Sequence, residues 1–174
     1  RAAGAKFVEI GDGKRCHEWQ LEAAFSDKTA AVAYLFSPGL SKVALSLDKV
    51  TEIAHSKGVP VIVDAASMLP PRENLSKYHK LGADLVIHSG GKGIRGPQGT
   101  GILSGKKELI QAAYANAAPH QFLGRSAKVA KEEIVGLLTA LNNFVNEDEK
   151  VENSDFRNKS QKVVDAFSET PGLD

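Results

Sequence analysis

The segment HSGGKGIRGPQGTG (88–101) places six glycines around a single lysine, Lys92, directly after the apolar run ADLVIHS (83–89). Glycine at that density weakens a fold unless the backbone must approach something closely or adopt positive φ. Gly91, Gly93 and Gly96 match the spacing of a dinucleotide fingerprint. That loop, however, must open a helix whose N-terminus receives a pyrophosphate, and here Pro97 and a strand pattern follow. A phosphate-cradling P-loop needs Ser or Thr after its lysine; Gly93 stands there. A third chemistry is that of a Schiff-base lysine, whose amine must lose its proton to attack an aldehyde. Partial desolvation in a pocket allows that near neutral pH. A glycine-rich surface loop also explains the glycines. It does not explain a lysine centred among them at the end of a strand, where α/β sheets bind ligands.

A lysine that carries a pyridine aldehyde needs a second group. The protonated ring is the electron sink for carbanion chemistry, so an acid must stand near the ring nitrogen. Asp64 lies in the apolar run VPVIVDAA (59–66), and the next apolar run delivers Ser89 and Lys92. Two successive strands thus bring an acid and a lysine to one sheet edge. Asp64 alone reads equally as a helix cap or a structural ion pair; the two residues together are more specific.

The elements that must hold them follow from hydrophobic patterning. KFVEI (6–10), AAVAYLF (30–36), VPVIVDAA (59–66) and ADLVIHS (83–89) read as strands, and continuous apolar runs suit strands buried on both faces. TGILSG (100–105) is a further strand, reached by a loop too short for a helical crossover, so it is expected to run antiparallel. Helices are expected over 17–25 with Trp19, Ala23 and Phe25 on one side, and over 47–58 with Ser46 as N-cap and Gly58 as stop. Others are expected over 74–82, 106–117 and 131–145, the last with Ile134, Leu137, Leu138, Leu141, Phe144 and Val145 on one stripe. Residues 1–5 read as a helix tail and 146–169 as an exposed helix. Strands alternating with helices give an α/β fold with a mostly parallel sheet.

Composition narrows the class. The 174 residues suffice for one domain with a real core, and 22 basic against 21 acidic residues leave a formal charge of +1. No global field draws nucleic acid or anionic membrane. The single cysteine, Cys16, forms no internal disulfide and suits a reducing compartment. No apolar run reaches the roughly 18 residues of a membrane span, so a cytoplasmic protein is expected. The histidines have no metal-ligand spacing, and no metal is expected.

Three segments, VIVDAAS, GADLVIHSGGKGIRGPQGTGIL and GRSAKVAKEEIVGLLTAL, resemble the fold-type-I pyridoxal-phosphate enzymes. The family in question is that of selenocysteine synthase (L-seryl-tRNA selenium transferase) and D-glucosaminate-6-phosphate ammonia-lyase. The resemblance implies a three-layer α/β sandwich, the large-domain core of a fold-type-I transferase, with pyridoxal 5'-phosphate as cofactor. It makes Lys92 the cofactor lysine, Asp64 the partner of the pyridine nitrogen and Ser89 a phosphate ligand. Gln98 and Thr100 are further phosphate candidates across a dimer interface. Arg95 and Arg125 are candidates for an anionic substrate group, since guanidinium binds carboxylate and phosphate bidentately.

Family chains extend beyond both ends of this one. Residues 1–145 are accordingly expected to be a partial cofactor-binding large domain, and 146–174 a helical link towards a small C-terminal domain. The implied activity is a lyase acting on a small amino acid or amino sugar acid by α,β-elimination with ammonia release, in a homodimer or larger homo-oligomer. The alternatives are selenium transfer on seryl-tRNA, so that tRNA stays open as a partner, or a catalytically incomplete fragment with a role in assembly.

Overall fold

A computed structural model describes residues 3–12 and 14–172. Its centre is a four-stranded sheet in sequential order: β1 (Val32–Leu35), β2 (Val61–Asp64), β3 (Leu85–Ser89) and β4 (Gly101–Gly105). The first three strands are parallel and β4 pairs with β3 antiparallel, as the short connection requires. Helix α1 (Glu18–Ala24) precedes β1, while α2 (Leu47–Ser56) joins β1 to β2 and α3 (Asn74–Lys80) joins β2 to β3. After the sheet come α4 (Lys107–Asn116), α5 (Lys131–Asn146) and α6 (Glu149–Phe167).

Alternation along each strand gives the sheet two unlike faces. Val61, Val63, Val86 and His88 point into a core with Leu21 of α1, Leu47, Val50, Ile53 and Ala54 of α2, and Tyr78 of α3. Helix α2 buries the inward residues its spacing predicts, starts after Ser46 and ends before Gly58, whose φ of +70° suits glycine. The Ser46 side chain makes no capping bond, so the cap is one of position only. Leu69, Ile94 and Phe144 form a second core with Ile102 of β4 and Leu137, Ala140 and Leu141 of α5. The opposite sheet face carries Leu35, Ile87 and Leu103, all exposed. The α/β class is as expected, and of the expected three layers the described residues show two, the sheet and the helices on one face, with the other face open.

Some expectations change. Residues 6–10 form no strand: Phe7 and Val8 are exposed, and only Ile10 packs against the core. An apolar run becomes a strand only where a neighbour accepts its ladder. In α1, Trp19 is 64% exposed and Leu21 is the residue turned inward. In α5, Ile134, Leu138 and Val145 are exposed, and the buried part of the stripe is Leu137, Leu141 and Phe144. The helix tail expected at the start falls partly on Arg1 and Ala2, outside the described residues; Ala3 and Gly4 form a turn and bend. Helix α6 is exposed as expected.

Candidate functional site at the sheet edge

Register places the acid. Leu35 pairs with Asp64, Asp64 with Ile87, and Ile87 with Leu103, so these four form one row across the open face. Asp64 is the one charged member of that row, exposed at the C-terminal end of β2. Its Oδ1 accepts a bond from the Ala66 amide at 3.0 Å, which fixes the carboxylate at the strand end. The cost of burying an unpaired charge does not arise here, because solvent reaches the group. Ser89 lies two residues beyond Ile87 and so projects from the same face, also at the C-terminal edge.

The chain then enters the lysine loop. The Gly96 amide donates to the Gly90 carbonyl at 2.7 Å and the Arg95 amide to the Lys92 carbonyl at 2.9 Å, closing a tight turn. Lys92 is exposed and makes no ion pair or side-chain hydrogen bond among the described residues. Ile94 is the plug of the loop, 1% exposed against Leu69 and Phe144. The glycines serve this packing. A Cβ on Gly93 would sit 2.2 Å from the Leu69 carbonyl oxygen, and one on Gly90 would sit 2.0 Å from Thr100 Oγ1. Neither has positive φ; in this loop that conformation belongs to Arg95, at +62°.

Of the other expected residues, Gln98 donates to the Gly91 carbonyl at 3.0 Å. Thr100 is buried and donates to the Pro97 carbonyl at 2.6 Å. Both side chains therefore brace the loop. Arg95 pairs with Glu147 and, at 2.9 Å, with Glu152. Arg125 opens a short 3-10 turn, Arg125–Ala127, and is partly buried. His88, next to the motif, points to the opposite face from Asp64 and packs 6.2 Å from the Tyr78 ring. Burial holds its pKa below the usual imidazole value, so it stays neutral in the core. Sequence reasoning missed Ile94; an isoleucine alone among glycines was a readable sign of a plug.

Residues 1–140 match the aminotransferase class-V family. The chain belongs to the aminotransferase class-V family. Members of this family are pyridoxal-phosphate-dependent enzymes. It is 39% identical over 145 residues to a D-glucosaminate-6-phosphate ammonia lyase of Salmonella typhimurium, covering 83% of this chain and 37% of that protein. A 5'-C-glycyluridine monooxygenase-decarboxylase of a Streptomyces species is 30% identical, over 98% of this chain and 41% of the relative. An L-seryl-tRNA(Sec) selenium transferase of Clostridium perfringens is 31% identical, over 85% and 34%. A solved structure of D-glucosaminate-6-phosphate ammonia-lyase superposes with a TM-score of 0.74 at 38% identity, over 83% of this chain and 37% of that one. The chain thus spans about two-fifths or less of the length of these relatives.

The residues at this sheet edge fit pyridoxal phosphate. The row Leu35–Asp64–Ile87 sets a carboxylate between two apolar side chains on an open face, a surface suited to a flat ring with a basic nitrogen. Ser89 offers a hydroxyl donor from that face, and Lys92 offers an amine with no competing partner among the described residues.

Proposed function

We propose that this chain supplies the cofactor lysine and the ring-nitrogen acid of a pyridoxal-phosphate lyase. Its substrate would be a small amino acid or amino sugar acid, undergoing α,β-elimination with ammonia release. The observation that carries the reading is that Asp64 and Ser89 project from one face at the edge from which the Lys92 loop departs. In this reading residues 1–145 belong to the cofactor-binding large domain, and 146–174 form a helical link.

When bound, pyridoxal phosphate supplies an electron sink for a carbanion next to the amino group. Lys92 holds the cofactor and, once its amine is free, takes the proton from the substrate carbon as general base. Asp64 keeps a proton on the ring nitrogen by charge, and the Ala66 amide keeps Asp64 in place. The Ser89 hydroxyl donates to the phosphate. Gln98 and Thr100 contribute to the same phosphate cradle by bracing the loop from within. Arg95 is already matched by two carboxylates. Arg125 has no ion pair among the described residues and is the better candidate for an anionic substrate group. Cytoplasmic location and a homo-oligomer accord with this reading; no helix among the described residues is long and apolar enough to cross a membrane.

The Salmonella relative favours an amino sugar acid phosphate as substrate. The balanced charge favours a small molecule over RNA. A second reading, selenium transfer on seryl-tRNA, rests on the Clostridium relative. Incubating the intact, cofactor-loaded protein with D-glucosaminate 6-phosphate and measuring ammonia separates the two. Ammonia release supports the lyase. Silence there, with seryl-tRNA converted in the presence of a selenium donor, overturns it.

A further inference from the structure

The lysine loop is tied to the junction of α5 and α6 by a compact ion network. Arg95 pairs with Glu147, between the helices, and at 2.9 Å with Oε1 of Glu152 in α6. The other oxygen of Glu152 pairs at 3.2 Å with Arg72, in the segment between β2 and α3. Arg72 also pairs with Glu149 at 3.7 Å, bonds the Phe144 carbonyl, and lies 5.2 Å over the Phe144 ring. The Glu152 side chain is 13% exposed, so this carboxylate joining two guanidiniums is largely out of water, where such bonds are strongest.

Two features show what the network holds. Arg95 sits at φ +62°, a conformation that costs a non-glycine residue energy and persists only where surroundings enforce it. Its amide closes the turn onto the Lys92 carbonyl. Directly before it, Ile94 is buried against Phe144, the residue whose carbonyl and ring Arg72 grips. The plug and the ion network therefore converge on one end of α5.

We propose that Arg95 is a positioning residue. Held by Glu147 and Glu152, with Arg72 fixing Glu152 from the other side, it sets the backbone of the lysine loop and so the place of Lys92. The proposal rests on Lys92 being the cofactor lysine. It also assigns α6 a role: its first turn is the anchor of the loop, and displacement of α6 would release Lys92.

The test uses hydrogen–deuterium exchange on the intact protein stripped of cofactor, so the first readout is independent of the cofactor assignment. Glu152→Gln keeps the side-chain shape, and Glu147→Gln alters a more exposed partner, away from the core. Arg95→Gly removes the guanidinium while easing the positive φ. All three variants are expected to exchange the amides at positions 95 and 96 faster, relative to each sequence's intrinsic rate, by about tenfold in Glu152→Gln and Arg95→Gly. Pyridoxal phosphate should then leave the reloaded variants faster, with the substrate KM unchanged. Exchange as slow as in the parent protein in both Glu152→Gln and Arg95→Gly overturns the latch. A raised KM in Arg95→Gly with normal exchange would make Arg95 a substrate ligand instead. Faster exchange with unaltered cofactor release overturns the positioning of Lys92 by this latch, and borohydride trapping then shows whether Lys92 is the cofactor lysine at all.

Discussion

Lys106 and Asp84 face each other at 2.6 Å at the end of the β3–β4 ladder opposite to Lys92. Asp84 is 1% exposed and also takes the Val61 amide at 2.6 Å and the His55 ring at 2.8 Å on its other oxygen. One carboxylate thus joins α2, β2 and the residue following β4. Burial pushes its pKa up, but the Lys106 ammonium, the Val61 amide and the His55 ring outweigh burial and hold it below the usual aspartate value. Because the folded value is depressed, the contribution is complete above the ordinary aspartate range near ~4 and is lost as pH falls through the lower folded value. Asp84→Asn should cost about 2 kcal/mol at neutral pH. The gap in thermal stability between the parent and this variant should be flat down to about pH 5 and close in more acid solution. A gap that widens on acidification would contradict the sign.

The glycine loop predicts a different loss. Ile94→Ala empties a fully buried position against Leu69 and Phe144 and should lower stability by about 3 kcal/mol, read as a fall in melting temperature. Gly93→Ala drives a methyl into the Leu69 carbonyl, so the loop must shift. Cofactor affinity should drop by about tenfold or more, while the far-ultraviolet circular dichroism is retained. Parent-like affinity in Gly93→Ala would show that the loop backbone does not set the site.

Much of this was legible in the sequence because the signals were local. The runs around Val61–Asp64 and Leu85–Ser89 are apolar and bounded by turn residues, and the brevity of the 90–100 connection fixed the antiparallel β4. The positions of Asp64 at the end of one strand and Lys92 just after the next were readable, because strand ends are where α/β sheets present side chains; their roles rest on the proposal. What failed depended on partners distant in the chain. Residues 6–10 have a strand's composition but no neighbour in the sheet, and Trp19 fits the helical stripe that Leu21 occupies instead. Arg95 looked free for a substrate because Glu147 and Glu152, its partners, lie more than fifty residues away. The sequence showed the glycines but not what crowds them, which is Leu69 beside Gly93 and Thr100 beside Gly90.

The open sheet face makes a prediction for residues 1–174 expressed alone. Leu35, Ile87 and Leu103 are exposed apolar residues flanking Asp64 in one row on the face left uncovered among the described residues. Such surfaces associate in water. This polypeptide should bind a hydrophobic dye and self-associate, and Leu103→Lys should reduce both in light scattering and dye fluorescence. Equal dye binding in the two proteins would place the sticky surface elsewhere.

Asp64→Asn keeps the shape of the acid and removes its charge. The cofactor should still bind, because Lys92 and Ser89 are untouched. Turnover should fall by roughly a hundredfold or more, since ring protonation supplies several kcal/mol of carbanion stabilisation. A steady-state assay with cofactor occupancy measured in parallel separates these effects. Unchanged turnover would remove Asp64 from the chemistry.

The central claim is that Lys92 carries the cofactor, and covalent trapping tests it most directly. The intact protein with pyridoxal phosphate is reduced with borohydride, digested and mapped by mass spectrometry. The adduct should fall on the peptide containing Lys92 and vanish in Lys92→Ala. Lys106 is the informative control, because its pairing with Asp84 raises its pKa and keeps the amine protonated. A single adduct at Lys92 is the predicted result; an adduct at Lys106 or Lys107, with Lys92 unmodified, would contradict the account.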